Sequence, residues 1–246
     1  MNGGRNDGER VAFFGGSFDP PHLGHLAIAK AAREALKLDR VWFAPVGAQP
    51  LKPQGSTAPF ADRIAMTELA IAGERGFAVS LADAPDAEGK PNYTLGTLQR
   101  MREQLPAGSD LFCLLGADSF FGLGSWRGGA EIPFAATLIV ASRPGQPLDD
   151  LTAHLPEGLM LVAGESAARD RTAGSAALRS YVLRNGAGAT ADFHVLPNVH
   201  VDVSASAIRE QVRAAAERPE IDADLKAPRL LPSAVAAYIR AHGLYR

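Results

Sequence analysis

Two histidines, His22 and His25, flank Gly24 just after a strand-like run and the segment Gly15-Gly16-Ser17-Phe18-Asp19-Pro20-Pro21. Imidazoles three residues apart share a face if they open a helix. A helix start favours anions through its free N–H groups and its dipole. Glycines at 15 and 16 would let the backbone turn tightly and expose N–H groups, as a phosphate cradle requires. Asp19-Pro20-Pro21 would stiffen the turn, and the missing side chain at Gly24 would leave room for phosphate oxygens. The chemistry expected here is the gripping of a nucleotide's phosphates. Each feature alone has a plainer explanation, a turn glycine or a solvated histidine. A zinc site is a rival, since histidines at helical spacing suit metal. It lacks cysteine partners, and His154, His194, His200 and His242 form no ligand-like cluster, so no metal site is expected. Neither a Walker A pattern nor a dinucleotide-type Gly-x-Gly-x-x-Gly follows the strand, which argues against a P-loop ATPase and a standard dehydrogenase.

The elements that must hold these residues follow from periodicity. Val11-Ala12-Phe13-Phe14 reads as a buried strand, Leu23 to Leu38 as a helix, and Val41 to Val46 as a second strand. This is a βαβ unit with a right-handed crossover. A Pro- and Gln-bearing loop, Gly47 to Thr57, precedes a helix near Pro59 to Ala72 and a strand at Phe77 to Leu81. A helix starts at Thr94, with Thr94 as its N-cap. Leu111 to Leu115 and Thr137 to Ala141 read as further buried strands. Beyond Gly145 the pattern is less regular: a helix around Ser175 to Leu183, strand-like pieces at Phe193 to Leu196 and Val199 to Val203, and helices from Ser204 and Ser233. The alternation predicts an α/β fold: a Rossmann-like, doubly wound parallel sheet flanked by helices, with a small helical C-terminal region. One domain over residues 11–246 is expected, behind a short loose tail at residues 1–10.

Composition narrows the class. The 246 residues can bury a full core, and 46% are hydrophobic, which argues against wholesale disorder. A net charge of -2 gives no global field for DNA or RNA, so a phosphate site must be local. Cys113, the single cysteine, lies in an apolar run and fits a reducing compartment. No apolar stretch is long enough to span a bilayer, and the first ten residues lack the core of a secretory signal. The cytoplasm is the expected location, with neither nucleic acid nor membrane as partner.

The segment Gly15-Gly16-Ser17-Phe18-Asp19-Pro20-Pro21-His22-Leu23-Gly24-His25 resembles the signature of the nucleotidyltransferase superfamily that carries a His-x-Gly-His motif. Val203-Ser204-Ala205-Ser206-Ala207-Ile208-Arg209 is similar to that superfamily's Ile-Ser-Ser-Thr-x-Ile-Arg element. In this chain Ser204 and Ser206 would open a helix as cap and phosphate ligand, with Arg209 one turn on. Pro91-Asn92-Tyr93-Thr94, Leu115-Gly116-Ala117-Asp118-Ser119 with Trp126, Ser142-Arg143-Pro144-Gly145 and the ending from Leu231 to Arg246 resemble motifs of bacterial nicotinate mononucleotide adenylyltransferases.

The resemblance implies transfer of AMP from ATP to nicotinate mononucleotide. It implies catalytic roles for His22, His25, Lys52 and Arg209. It implies ATP contacts at Gly15, Gly16, Ser17, Phe18, Gly24, Gly116, Asp118, Ser204 and Ser206, and mononucleotide contacts at Asp19, Tyr93, Thr94 and Trp126. Trp126 would offer a flat face to the pyridine ring, with Tyr93 and Thr94 enclosing its other side. N–H groups at the helix start near Thr94 would suit a carboxylate, and Asp118, in a loop after a strand, would accept bonds from ribose hydroxyls. Mg²⁺ would accompany ATP, held mostly by phosphates and water. The chain departs from the family pattern at Leu51, where the family carries a histidine before the cation kept here as Lys52, and at Ala205, which replaces a hydroxyl residue. Nicotinamide mononucleotide, phosphopantetheine or a CTP-using reaction remain as alternatives, as does a nucleotide-binding regulator without turnover. A homo-oligomer is left open.

Overall fold

The computed structural model describes residues 8–47, 55–85, 88, 90, 92–142, 152–162, 178–197, 199, 203–217 and 230–246. Eight strands form one sheet in the order β3-β2-β1-β4-β5-β8-β7-β6. They are β1 (Arg10–Gly16), β2 (Arg40–Pro45), β3 (Phe77–Val79), β4 (Asp110–Gly116), β5 (Thr137–Ala141), β6 (Leu159–Leu161), β7 (Arg179–Asn185) and β8 (Thr190–Leu196). The helices, among the described residues, are α1 (Leu23–Leu36), α2 (Phe60–Ile71), α3 (Thr94–Gln104), α4 (Ala117–Phe121), α5 (Ile132–Ala135), α6 (Ala205–Glu217) and α7 (Ser233–His242). None of them is long and apolar enough to cross a membrane.

The chain divides into two compact units. The first comprises Met1–Gly15, Ile28–Trp42 and Tyr93–His200. Its centre is the parallel run β1-β4-β5-β8, with Val11 beside Leu111, Leu114 beside Ile139 and Leu138 beside Phe193. β1, β4 and β5 are buried along most of their length, which is why they read as continuous apolar runs rather than as alternations. Cys113 is buried within β4.

The sheet is parallel-dominated but not wholly parallel. β7 runs antiparallel to β8, and β6 antiparallel to β7. The helix expected from Ser175 to Leu183 is therefore corrected from Arg179 onward, where the chain is strand; residues 175–177 lie outside the described residues. Leu178, Tyr181 and Val182 have helical spacing, but the turn after Asn185 decides the outcome. The Asn185 side chain accepts the N–H groups of Ala187 and Ala189 at 3.1 and 2.9 Å. Gly188 takes φ 84°, open to glycine at no steric cost. That turn returns the chain as β8 and opposes Tyr181 to Phe193.

The second unit comprises Gly16–Ala27, Phe43–Asn92 and Val201–Arg246. Its core joins α2, α6 and α7 through Met66, Ala70, Ile208, Leu231, Val235, Ile239 and Tyr245. The apolar stripes of three helices meet there, as amphipathic helices must to leave water. The other expected boundaries agree within two residues for α1, α2 and β3, β5 spans the expected residues, and helices follow Ser204 and Ser233 as expected. The strand-like piece from Val199 to Val203 falls mostly outside the described residues.

Candidate active site

In the second unit, the turn after β1 is held by side chains rather than by glycine flexibility. Gly15 and Gly16 are the last residues of β1, and neither has positive φ. The left-handed residue is Phe18, at φ 46°, a conformation uncommon outside glycine. Gly16 is needed for another reason: a Cβ there would stand 3.3 Å from the Phe18 ring. Phe18 is only 1% exposed, packed 4.9 Å from the His25 ring and 5.6 Å from Phe43. Its side chain is therefore a wedge packed against His25.

Asp19, expected at the mononucleotide, is 4% exposed and bonded inward. Its Oδ2 accepts the N–H of Thr57 at 2.6 Å, and its Oδ1 accepts the N–H of Ala58 at 3.0 Å and the Tyr245 hydroxyl at 2.8 Å. The Asp19-Pro20 peptide is cis. The carbonyl of Asp19 accepts Arg209 Nη1 at 2.7 Å, and Arg209 Nη2 donates to Ser206 Oγ at 3.1 Å. The two motifs singled out in the sequence, 190 residues apart, thus meet through one guanidinium. Ser204 caps α6, its Oγ accepting the N–H of Ala207 at 3.2 Å.

His22 and His25 lie together as their spacing predicts. Their rings stack at 3.7 Å with planes 27° apart. The backbone N–H of His22 donates to His25 Nδ1 at 3.1 Å, so that nitrogen carries no proton and the neutral ring presents Nε2–H. Burial, and then the charge of a protonated His22, hold the His25 pKa well below the ordinary imidazole value. His25 is therefore a neutral N–H donor at physiological pH. Packing alone already requires glycine at position 24. A Cβ would come within 2.8 Å of Val203 Cγ1 and 3.0 Å of the His22 ring.

Sequence reasoning missed Arg63. It is 2% exposed on the buried face of α2, beside Met66, Thr67 and Ala70. Its guanidinium donates to the carbonyls of Ser17 at 2.7 Å, Ala58 at 3.2 Å and Gly47 at 3.5 Å. Burial lowers its pKa, while Asp19 and Tyr245 act to raise it. An arginine at a helix position whose periodicity calls for an apolar residue was the signal available. Ser17 therefore enters through its carbonyl. Lys52 and Leu51 lie outside the described residues, as do Arg143 to Gly145.

The first unit carries the other expected residues. Gly116 ends β4 and precedes α4. Asp118 lies exposed in the first turn of α4, not in a loop. Thr94 is the first residue of α3; the cap position belongs to Tyr93, which makes no side-chain capping bond. Trp126, half-buried, ends a 3₁₀ turn with its N–H on the Leu123 carbonyl at 3.0 Å. Sequence reasoning also missed its neighbour Arg127, whose guanidinium stands 4.8 Å over the Tyr93 ring. Tyr93 is 37% exposed, so this pair faces water at the start of α3. No group of three or more His, Cys, Asp or Glu among the described residues could hold a metal ion.

Comparison with known proteins places the chain in a family. Residues 13–211 match a family model described as cytidylyltransferase-like. A Syntrophotalea carbinolica protein named "Probable nicotinate-nucleotide adenylyltransferase" is 34% identical, covering 96% of this chain and 97% of its own. A Gloeobacter violaceus protein of the same name is 35% identical, covering 97% of each chain. Among solved structures, nicotinic acid mononucleotide adenylyltransferase of Plasmodium falciparum, complexed with APC, superposes with a TM-score of 0.66. It covers 96% of this chain and 97% of its own at 14% identity, a likeness of fold.

Proposed function

The chain belongs to the nicotinate-nucleotide adenylyltransferases, and on that premise we propose that it transfers AMP from ATP to nicotinate mononucleotide, giving deamido-NAD and pyrophosphate. The observation that carries the ATP half is the meeting of the two motifs, with Arg209 on the Asp19 carbonyl beside the stacked histidines. The acceptor's 5′-phosphate oxygen attacks the α-phosphorus of ATP in line. A new P–O bond forms as the bond to the bridging oxygen breaks, and pyrophosphate leaves with that electron pair. No residue becomes covalently attached, so the protein acts by position and by charge stabilisation.

His25 supplies a neutral Nε2–H to a phosphate oxygen, a donor fixed in place before the charge develops. His22 stacks against it and completes the phosphate side. Ser206, Arg209 and Lys52 are assigned to the departing pyrophosphate. Arg209 can serve while holding the turn, because two of its five N–H donors are used in the bonds to Asp19 and Ser206. Mg²⁺ bound with ATP would offset the charge of the triphosphate. Asp19 is already taken up by three protein donors, which fits an ion held by phosphates and water rather than by a carboxylate cage.

For the acceptor, Trp126 is assigned to the pyridine ring and Asp118 to ribose hydroxyls. The Arg127 guanidinium over Tyr93 supports an anionic ring substituent, nicotinate rather than nicotinamide. Cys113, the single cysteine and buried within β4, is in keeping with the cytoplasm. The test is pyrophosphate release from ATP and Mg²⁺ with each mononucleotide in turn. A larger kcat/KM for nicotinate mononucleotide is expected. A clear preference for the amide refutes the acceptor, and ATP binding without pyrophosphate release refutes the enzyme.

A further inference from the structure

We propose that Tyr245, the penultimate residue, is a positioning residue for the ATP-gripping turn, acting through the Asp19 carboxylate. Tyr245 is distant in sequence from everything it serves. Gly243 ends α7 at φ 62°, and the N–H of Leu244 returns to the Ile239 carbonyl at 3.1 Å, which folds the end of the chain back. Tyr245 itself is at φ 65°, a left-handed conformation unfavourable for an aromatic residue. Strain of that kind persists only where the surroundings over-determine it. Here the surroundings are the core that Tyr245 shares with Ala58, Met66, Ile208 and Val235, and Asp19 Oδ1 at 2.8 Å from the hydroxyl.

Packing alone would be served by phenylalanine. The hydroxyl is what reaches the carboxylate, and burial beside Asp19 raises its pKa, so it stays a donor. The same turn is held at two further points, by Arg63 on the Ser17 carbonyl and Arg209 on the Asp19 carbonyl. Residues 17–19 are thus bonded by side chains from α2, α6 and the chain end. The hydroxyl fixes the side chain of the residue whose backbone leads through Pro20 and Pro21 to His22. Loosening it should misplace the phosphate donors without touching the acceptor.

The inference rests on the reading that this turn binds ATP. Tyr245→Phe removes only the hydroxyl. Tyr238→Phe is the matched control, since Tyr238 donates to Asp62 at 2.8 Å between α7 and α2, away from the turn. In Tyr245→Phe the Kd and KM for ATP should rise about tenfold, with the KM for the mononucleotide within twofold of the parent. Tyr238→Phe should change neither. Asp19→Ala combined with Tyr245→Phe should bind ATP no more weakly than Asp19→Ala alone, because the hydroxyl acts through that carboxylate. An ATP affinity unchanged in Tyr245→Phe, or full additivity in the double variant, overturns the proposal. ATP affinity is read without the acceptor. Loss of turnover in the parent would therefore sink the proposed reaction alone, and an unaffected Tyr245→Phe enzyme would sink this inference alone.

Discussion

The two units hold their expected site residues in opposite ways. In the second unit nearly every group is tied down: Asp19 by three donors, Ser17 and Ala58 by Arg63, His25 by a backbone N–H. In the first unit Tyr93, Asp118 and Arg127 stand at helix starts and a turn, at least partly exposed to water. The contrast suits the two tasks proposed for them. Stabilising charge that develops on phosphorus needs donors fixed beforehand, because reorganising them during reaction costs what they would contribute. Recognising a ring and its substituent tolerates side chains that settle as the ligand arrives.

Substitutions can break or sharpen that contrast. Arg63→Leu should have the largest effect. It leaves buried carbonyls of Ser17 and Ala58 without their donor and should lower stability by about 3 kcal/mol, read as a denaturation midpoint. A loss below about 1 kcal/mol would mean the second unit is less rigidly tied than its bonds imply. His25→Ala should lower turnover by about two powers of ten in a folded enzyme, the scale of a lost transition-state donor. Near-normal turnover would remove His25 from the chemistry. Arg127→Gln should reduce the preference for nicotinate over nicotinamide mononucleotide about tenfold, leaving the KM for ATP unchanged. Equal losses for both acceptors would show that Arg127 does not sense the carboxylate.

The smallest effect is a slope in pH. The folded pKa of His25 lies well below 6.5, its ordinary value, so the unfolded chain binds that proton first. Stability should be highest above about pH 6.5 and fall as pH drops toward the folded pKa, by at most about 1.4 kcal/mol per unit for one group. Below the folded pKa both states are protonated and the slope ends. His25→Gln should flatten this limb in denaturation curves taken at successive pH values. An unchanged slope would assign it to other groups.

Both histidines, Ser204 as a cap and the buried strands β1, β4 and β5 were legible in the sequence, because each depends on spacing over a few residues. Residues 17–19 were legible as a segment, but the bonds that hold them were not. Asp19 before two prolines reads as part of a stiff turn, its carboxylate expected at the mononucleotide. Which donors reach that carboxylate depends on Thr57, Ala58 and Tyr245, and no local pattern links them. The strand at Arg179–Asn185 was missed for a related reason: Leu178, Tyr181 and Val182 fit a helical period, and only pairing with β8 resolves the ambiguity.

By itself, then, the sequence determined that two histidines sit together at a helix start behind a buried strand, since periodicity and helix-end chemistry are local. Tertiary structure alone decided that Gly24 makes way for Val203, that Arg63 lies buried beneath the turn, and that the chain's last residues bond to Asp19. Hydrogen bonds between distant residues form only once the core has brought them together, and a buried charge or carboxylate must then find its partners among whatever the fold supplies.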